Sequence, residues 1–336
     1  MLGFCVSAKL YWPALVLFCV LCWLTYPYFV WLKKLGTDKE VAAQFVWVAG
    51  GTLWGSSIML RAIISQPSED IALIMSVLTY ASYLFICFGF LSIGTRSLLS
   101  VLLLRKNLLL LRDRYGIDVQ YPIDRFPISS ESVKLDGERL SQWQLAVAVS
   151  TVAAEIRKLP DALVERCEIR RIVLCSRFSE DGLRMGGMCF ARQYALCLDV
   201  FRAVPNQGRL SRSFYHELFH MIYARDDNWR KKSAVWLGLN PRDFDYGPSA
   251  RNMIREGIDF QPHDTHLGFL TQYSKADAEE DAAELFSYLM TSYGKVKRKA
   301  QRDRFFAAKV LYMQERLAYF CPDLDERFWY KIAKNG

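Results

Sequence analysis

Charge is missing from three long stretches of this 336-residue chain: residues 10–32, 41–60 and 71–95 contain no Asp, Glu, Lys or Arg. Each is long enough to cross a hydrocarbon core about 30 Å thick, which takes about 20 apolar residues. The Gly50-Gly51 pair and Gly55 disfavour a soluble helix but are tolerated in a membrane one. Trp12, Tyr26, Tyr28 and Trp31 lie near the ends of the first run, as interface anchors would. Three transmembrane helices are expected. The first run is too long for a signal-peptide core, carries Pro13 and Pro27, and is followed by two more such runs.

Paired cysteines are also scarce. The nine cysteines form one CxxC pair, Cys19–Cys22, inside the first run, so no disulfide framework is expected. Cys167, Cys175, Cys189, Cys197 and Cys321 read as reduced core residues. Internal repeats and low-complexity segments are absent from the sequence, which excludes solenoid and fibrous architectures.

Basic residues set the expected orientation. Lys33, Lys34 and Lys39 lie between the first two runs, and Arg96, Arg105, Lys106, Arg112 and Arg114 follow the third. The positive-inside rule then places everything after residue 95 in the cytoplasm and the N-terminus outside, with a bacterial inner membrane as the expected setting. The formal net charge is +8. Part of it would face anionic lipid just below the membrane. The basic run KVKRKAQRDR at 295–304 has no stacking-aromatic or recognition-helix motif beside it, so specific nucleic-acid binding is not expected and a solvated helix face is.

The expected organisation is a membrane region (1–95), a stalk helix and linker (96–140, with loop-like 116–140), and a soluble domain (141–336). Helices are expected over 141–159, 210–224, 276–290 and 297–319, strands over 168–176 and 188–200, and a long irregular stretch over 225–272. The fold class is α+β.

Histidine is the scarcest reactive side chain. There are four, and two of them, His216 and His220, bracket Glu217 in SFYHELFHMIYA. On a helix, i and i+4 project from one face, so both imidazoles reach one metal ion, with Glu217 about 100° away as a general base. By average composition, HExxH arises by chance in roughly one chain in a hundred of this size. A catalytic zinc site therefore needs a third protein ligand. His263 or His266 could supply it, although the metzincin spacing HExxHxxGxxH is absent. The acidic helix DAEEDAAELF could supply a carboxylate, with Glu280 and Glu284 four residues apart on one face.

The stretch Tyr273, then Glu280-Asp281-Ala282-Ala283-Glu284, resembles the Tyr-x₆-Glu-x-x-Ala-Glu pattern that follows HExxH in gluzincin zinc peptidases. The resemblance is in particular to the group of the anthrax lethal factor catalytic domain. Trp229 and Tyr246 follow that pattern more loosely, and about a third of the chain is covered. The resemblance implies a zincin-like domain with zinc on His216, His220 and Glu280. It also implies Glu217 as base, Tyr273 as oxyanion donor, Glu284 outside the ligand set in support, and a strand along the cleft that pairs with an extended peptide. Glu279 remains an adjacent competitor for the metal.

The expected activity is membrane-anchored, zinc-dependent hydrolysis of a peptide bond in a peptide or protein substrate, with possible oligomerisation through the spans. Two other readings stand beside it: an inactive zinc-binding receptor or scaffold, which would not need Glu217, and a zinc hydrolase acting on a non-peptide amide. Cleavage inside the bilayer is disfavoured by Arg212, Arg225 and Asp226 around the motif.

Overall fold

A computed structural model describes residues 101–336, except Asp124, Glu131, 202–206, Lys232, 259–260, 263–265 and Gly336, together with Ser76, Thr79 and Tyr80. The chain divides into two compact units, Met1–Leu99 and Ser100–Gly336. The expected spans belong to the first and, apart from three helical positions, lie outside the described residues. No helix among the described residues is long and apolar enough to cross a membrane.

The second unit is α+β. Its mixed sheet is organised on β3 (Arg171–Glu180), whose 172–176 segment is buried on both faces, as a covered parallel strand requires. The first half of β3 runs parallel to β1 (Asp118–Gln120) on one side and β6 (Ala195–Asp199) on the other. Its second half pairs antiparallel with β2 (Leu135–Glu138) and β4 (Leu183–Arg184). β5 (Gly187–Phe190) runs antiparallel to β6 and ends the strand path on that side.

Helices cover the sheet. The helix Gln142–Ile156 carries a complete capping box: the Ser141 hydroxyl accepts from the Gln144 amide, and the Gln144 side chain accepts from the Ser141 amide. Residues 101–115, expected as a stalk, are helical and lie against this domain. Leu104, Leu108 and Leu111 share one face at i, i+4, i+7 and pack on the main core, and Asn107 donates to Ser150 at 3.0 Å.

Several expected elements resolve differently. The strand expected over 188–200 is a hairpin, β5 and β6, folded back through the 3₁₀ turn Ala191–Gln193 and left-handed Tyr194 (φ 55°). The stretch 116–140 contains β1 and β2, and 225–272 contains short helices at Asp227–Lys231, Ser233–Gly238 and Ala250–Arg255. The helix expected over 297–319 is two, Tyr293–Ala300 and Arg304–Phe320, because Asp303 caps a new start by accepting from the Phe305 and Phe306 amides. Lys299 in the basic run is buried beside Asp303, so that run is only partly a solvated face. A last helix, Glu326–Asn335, completes the core.

The histidine helix, Gln207–Arg225, buries Phe214, Tyr215, Leu218, Phe219, Met221 and Ile222 in the main core. Beside it lies the acidic helix Ala278–Thr291, which contributes Ala282, Ala283, Phe286 and Leu289 to the same core. Small alanines at that contact let the two helices approach closely. The five cysteines of this unit are free; four are buried and Cys189 is half-buried.

Candidate metal centre

Three polar anchors, of which Glu155 and Asp281 are buried and Asp277 is exposed, fix the rotation of the two helices. Glu155, the one charged residue of its helix, accepts from Ser211 Oγ (2.8 Å) and Tyr215 Oη (2.8 Å) on the histidine helix. Asp277 caps the acidic helix, accepting from the Glu279 and Glu280 amides at 2.9 Å each. Inside it, Asp281 accepts from Trp236 Nε1 (3.0 Å), Tyr246 Oη (3.0 Å) and Lys309 Nζ (2.6 Å).

With the rotations set, His216, His220 and Glu280 converge. His216 Nε2 and His220 Nε2 are 3.2 Å apart, and Glu280 Oε2 lies 3.0 Å from the first and 3.6 Å from the second. All three ligand atoms fall within 4.8 Å of one another. The far side of each ring is held by another carboxylate: His216 Nδ1 by Glu284 Oε1 at 3.2 Å, and His220 Nδ1 by Glu279 Oε1 at 2.7 Å. Glu284 is itself oriented by the Thr271 hydroxyl at 2.8 Å. A carboxylate at Nδ1 selects the tautomer with its proton there, which turns the Nε2 lone pair inward. In that tautomer two nitrogen lone pairs and a carboxylate oxygen face one point, an arrangement that a cation satisfies and that ring protons satisfy in its absence.

The electrostatics follow the same logic. Burial opposes a charge on His216, but the hydrogen bonds to Glu280 and Glu284 outweigh it and push the imidazole up to about 10. Burial likewise opposes charge on His220, and Glu280 and Glu279 override it, raising that ring well above its ordinary value. Glu280 is held far below the usual carboxylate range by His220 and His216, against the effect of burial. The pocket is built to concentrate positive charge. Two imidazoles and one carboxylate fit a zinc ion by donor type and number.

Glu217 is off this cluster and against the sheet. Burial raises its carboxyl above the ordinary value, with His216 and His220 opposing, and it accepts from the Cys189 amide of β5. Gly187 makes this approach possible. A Cβ there would lie 2.8 Å from Glu217 Oε1 and 2.9 Å from the Cys197 carbonyl oxygen. Tyr273, in the 3₁₀ turn Tyr273–Lys275, has its ring 6.0 Å from that of His216 and its hydroxyl bonded to Glu280. Burial, then Glu280 and Glu217, raise this phenol far above its ordinary value, so it stays a neutral donor.

Of the other candidates, His266 is outside the cluster, where its carbonyl accepts from Lys299 at 2.8 Å, and His263 lies outside the described residues. Glu279 sits at the outer nitrogen of His220 instead of among the converging atoms. Trp229 stacks edge-on to Phe219 at 5.0 Å and Tyr246 serves Asp281, both supporting the helices and not the metal. Glu155, Gly187, Thr271 and Lys309 were not singled out as site residues in the sequence. Of these only Glu155 carries a local signal, as a lone charge in the run AVAVSTVAAEI. Comparisons with protein-family models, curated proteins and solved structures return no match to the chain.

Gly187→Ala is expected to move Glu217 without touching the converging ligands. In a hydrolase that used Glu217 as its base, a displacement of about 1 Å would cost on the order of 100-fold in turnover, with metal content unchanged; an unchanged rate would mean that the contact between Gly187 and Glu217 has no functional role.

Proposed function

We propose that this chain is a zinc-dependent peptidase of gluzincin type, carried on a membrane by its N-terminal spans and acting on peptide or protein substrates in the cytoplasm. The observation that carries the reading is the inward convergence of His216, His220 and Glu280, each histidine fixed from behind by a carboxylate, with Glu217 standing between that point and strand β5.

His216, His220 and Glu280 would hold the zinc ion, which when bound polarises the scissile carbonyl and acidifies the attacking water. Glu217, its carboxyl raised by burial, takes the proton of that water and delivers it to the leaving amine. Tyr273 exchanges its bond to Glu280 for one to the substrate oxygen as negative charge develops there. β5, at the end of the strand path, offers its outer edge to an extended peptide. Its first residue, Gly187, lets the strand lie close to Glu217.

The test is metal analysis of the purified full chain. About one zinc per chain is expected from a single closed ligand set. His216→Ala and Glu280→Ala are expected to lose it, and His266→Ala and Glu279→Gln to retain it, the latter with weaker affinity by about 10- to 100-fold. Full zinc retention in both His216→Ala and Glu280→Ala would rule out the site.

A further inference from the structure

The metal-ligand cluster is nearly closed to solvent. The side chains of His216, Glu280 and His220 are 12%, 15% and 16% exposed, and Glu217 and Tyr273 are 7% exposed. A polypeptide cannot reach atoms so covered unless something moves. One described element joins the two walls of the site. The short helix Ala250–Arg255 packs Met253 into a cluster with Tyr273 and Ala276 on the acidic-helix side. On the sheet side it touches β4, and Arg251 pairs with Glu180 at the end of β3.

We propose that the helix Ala250–Arg255 is a lid closed over the metal centre, latched to the sheet by the Arg251–Glu180 ion pair and wedged by Met253 against Tyr273. This deepens, and rests on, the reading of the site as a peptidase. The lid has the construction of a moving part. It is one and a half turns long, too short to be stable alone, and only Met253 within it is fully buried. Gly247 and Gly257 bracket it. Gly257 takes φ +68°, a conformation strained for other residues, and so can absorb a change of direction. The Gly247 amide donates to the Lys275 carbonyl at 2.9 Å, beside the Tyr273 turn, which marks the hinge on that side. The latch is a single pair between half-exposed Arg251 and the buried Glu180 carboxylate, so the arginine can swing to solvent while opening leaves Glu180 to find water. Closure also places the wedge on Tyr273, the donor to the developing oxyanion, so opening would free substrate access and the tyrosine together.

The experiment uses the purified full chain with Arg251→Ala, Arg251→Glu and the swap Arg251→Glu/Glu180→Arg. Hydrogen–deuterium exchange of amides in 247–258 and in β5 reads the lid, and hydrolysis of denatured casein reads turnover. Loss of this half-exposed ion pair is expected to raise both by about two- to fivefold in Arg251→Ala. A larger rise is expected in Arg251→Glu, with return toward wild type in the swap and zinc content constant throughout. Unchanged exchange and unchanged turnover in Arg251→Glu overturn the lid. Faster exchange with slower turnover also overturns it, since the helix would then be part of a working cleft and not its cover. If exchange rises while every variant, wild type included, lacks zinc and leaves casein intact, the lid stands and the peptidase reading fails.

Discussion

Glu217→Gln is expected to keep one zinc per chain and to lose peptide cleavage by about 10²- to 10⁴-fold, the contribution of a positioned general base. The replacement is nearly isosteric. Its amide oxygen can still accept from the Cys189 amide, so the packing of the histidine helix against β5 survives. The three converging ligand atoms belong to His216, His220 and Glu280, so the metal keeps its donors. What disappears is the capacity to take a proton. Zinc analysis and casein hydrolysis on the same preparation separate the two properties. A variant that cleaves within about tenfold of wild type sinks the assignment of Glu217 as base. A variant that loses zinc would show instead that Glu217 holds the metal, contrary to its place against the sheet. A zinc-holding scaffold predicts a third outcome, wild type and variant equally inert, and comparative N-terminal proteomics of cells expressing each would expose it.

Much of this centre was legible in the sequence because helical periodicity alone brings its parts together. His216 and His220 at i and i+4, and Glu280 and Glu284 at i and i+4, each define one face, and two such faces need only meet. The choice between Glu279 and Glu280 was not legible. Adjacent residues differ by about 100° around a helix, so the choice depends on how the acidic helix is rotated. That rotation is set by Asp281 reaching Trp236, Tyr246 and Lys309 and by Thr271 holding Glu284, contacts 13 to 45 residues apart in sequence. The β5–β6 hairpin was hidden for a different reason. Its turn places Tyr194, not glycine or asparagine, in the left-handed region. The compensation is tertiary: the guanidinium groups of Arg170 and Arg225 lie 4.8 and 4.7 Å from the Tyr194 ring centroid, and Arg225 also donates to the Ala191 carbonyl. The helix Ala250–Arg255 carries too few apolar positions to announce itself and exists through its contacts with Tyr273 and β4.

The same buried anchor makes the largest stability prediction. Lys309 is fully buried, donates to Asp281 at 2.6 Å and to the Gly268 carbonyl at 2.8 Å, and lies 3.7 Å from the centroid of the Phe269 ring. Burial pushes Lys309 down and Asp281 up, each resisted by the other, so neither charge is comfortable without its partner. Lys309→Met strands the Asp281 carboxylate with two neutral donors, and breaking a buried pair from one side costs about 3–5 kcal/mol. The exposed pair Arg114–Asp161, by contrast, is expected to contribute far less, because solvent screens it. Equilibrium denaturation of residues 100–336 in the full chain is expected to show that difference directly. Adding Asp281→Asn should recover part of the loss, because the carboxylate that Lys309→Met exposes is then gone and the Trp236 and Tyr246 donors keep an acceptor. Zinc affinity should fall in Lys309→Met along with stability, since Glu280 is the next residue on a helix whose rotation Asp281 sets. A Lys309→Met protein within about 1 kcal/mol of wild type would mean that the acidic helix is held by its apolar face alone, and that the position of Glu280 owes nothing to the ion pair beneath it.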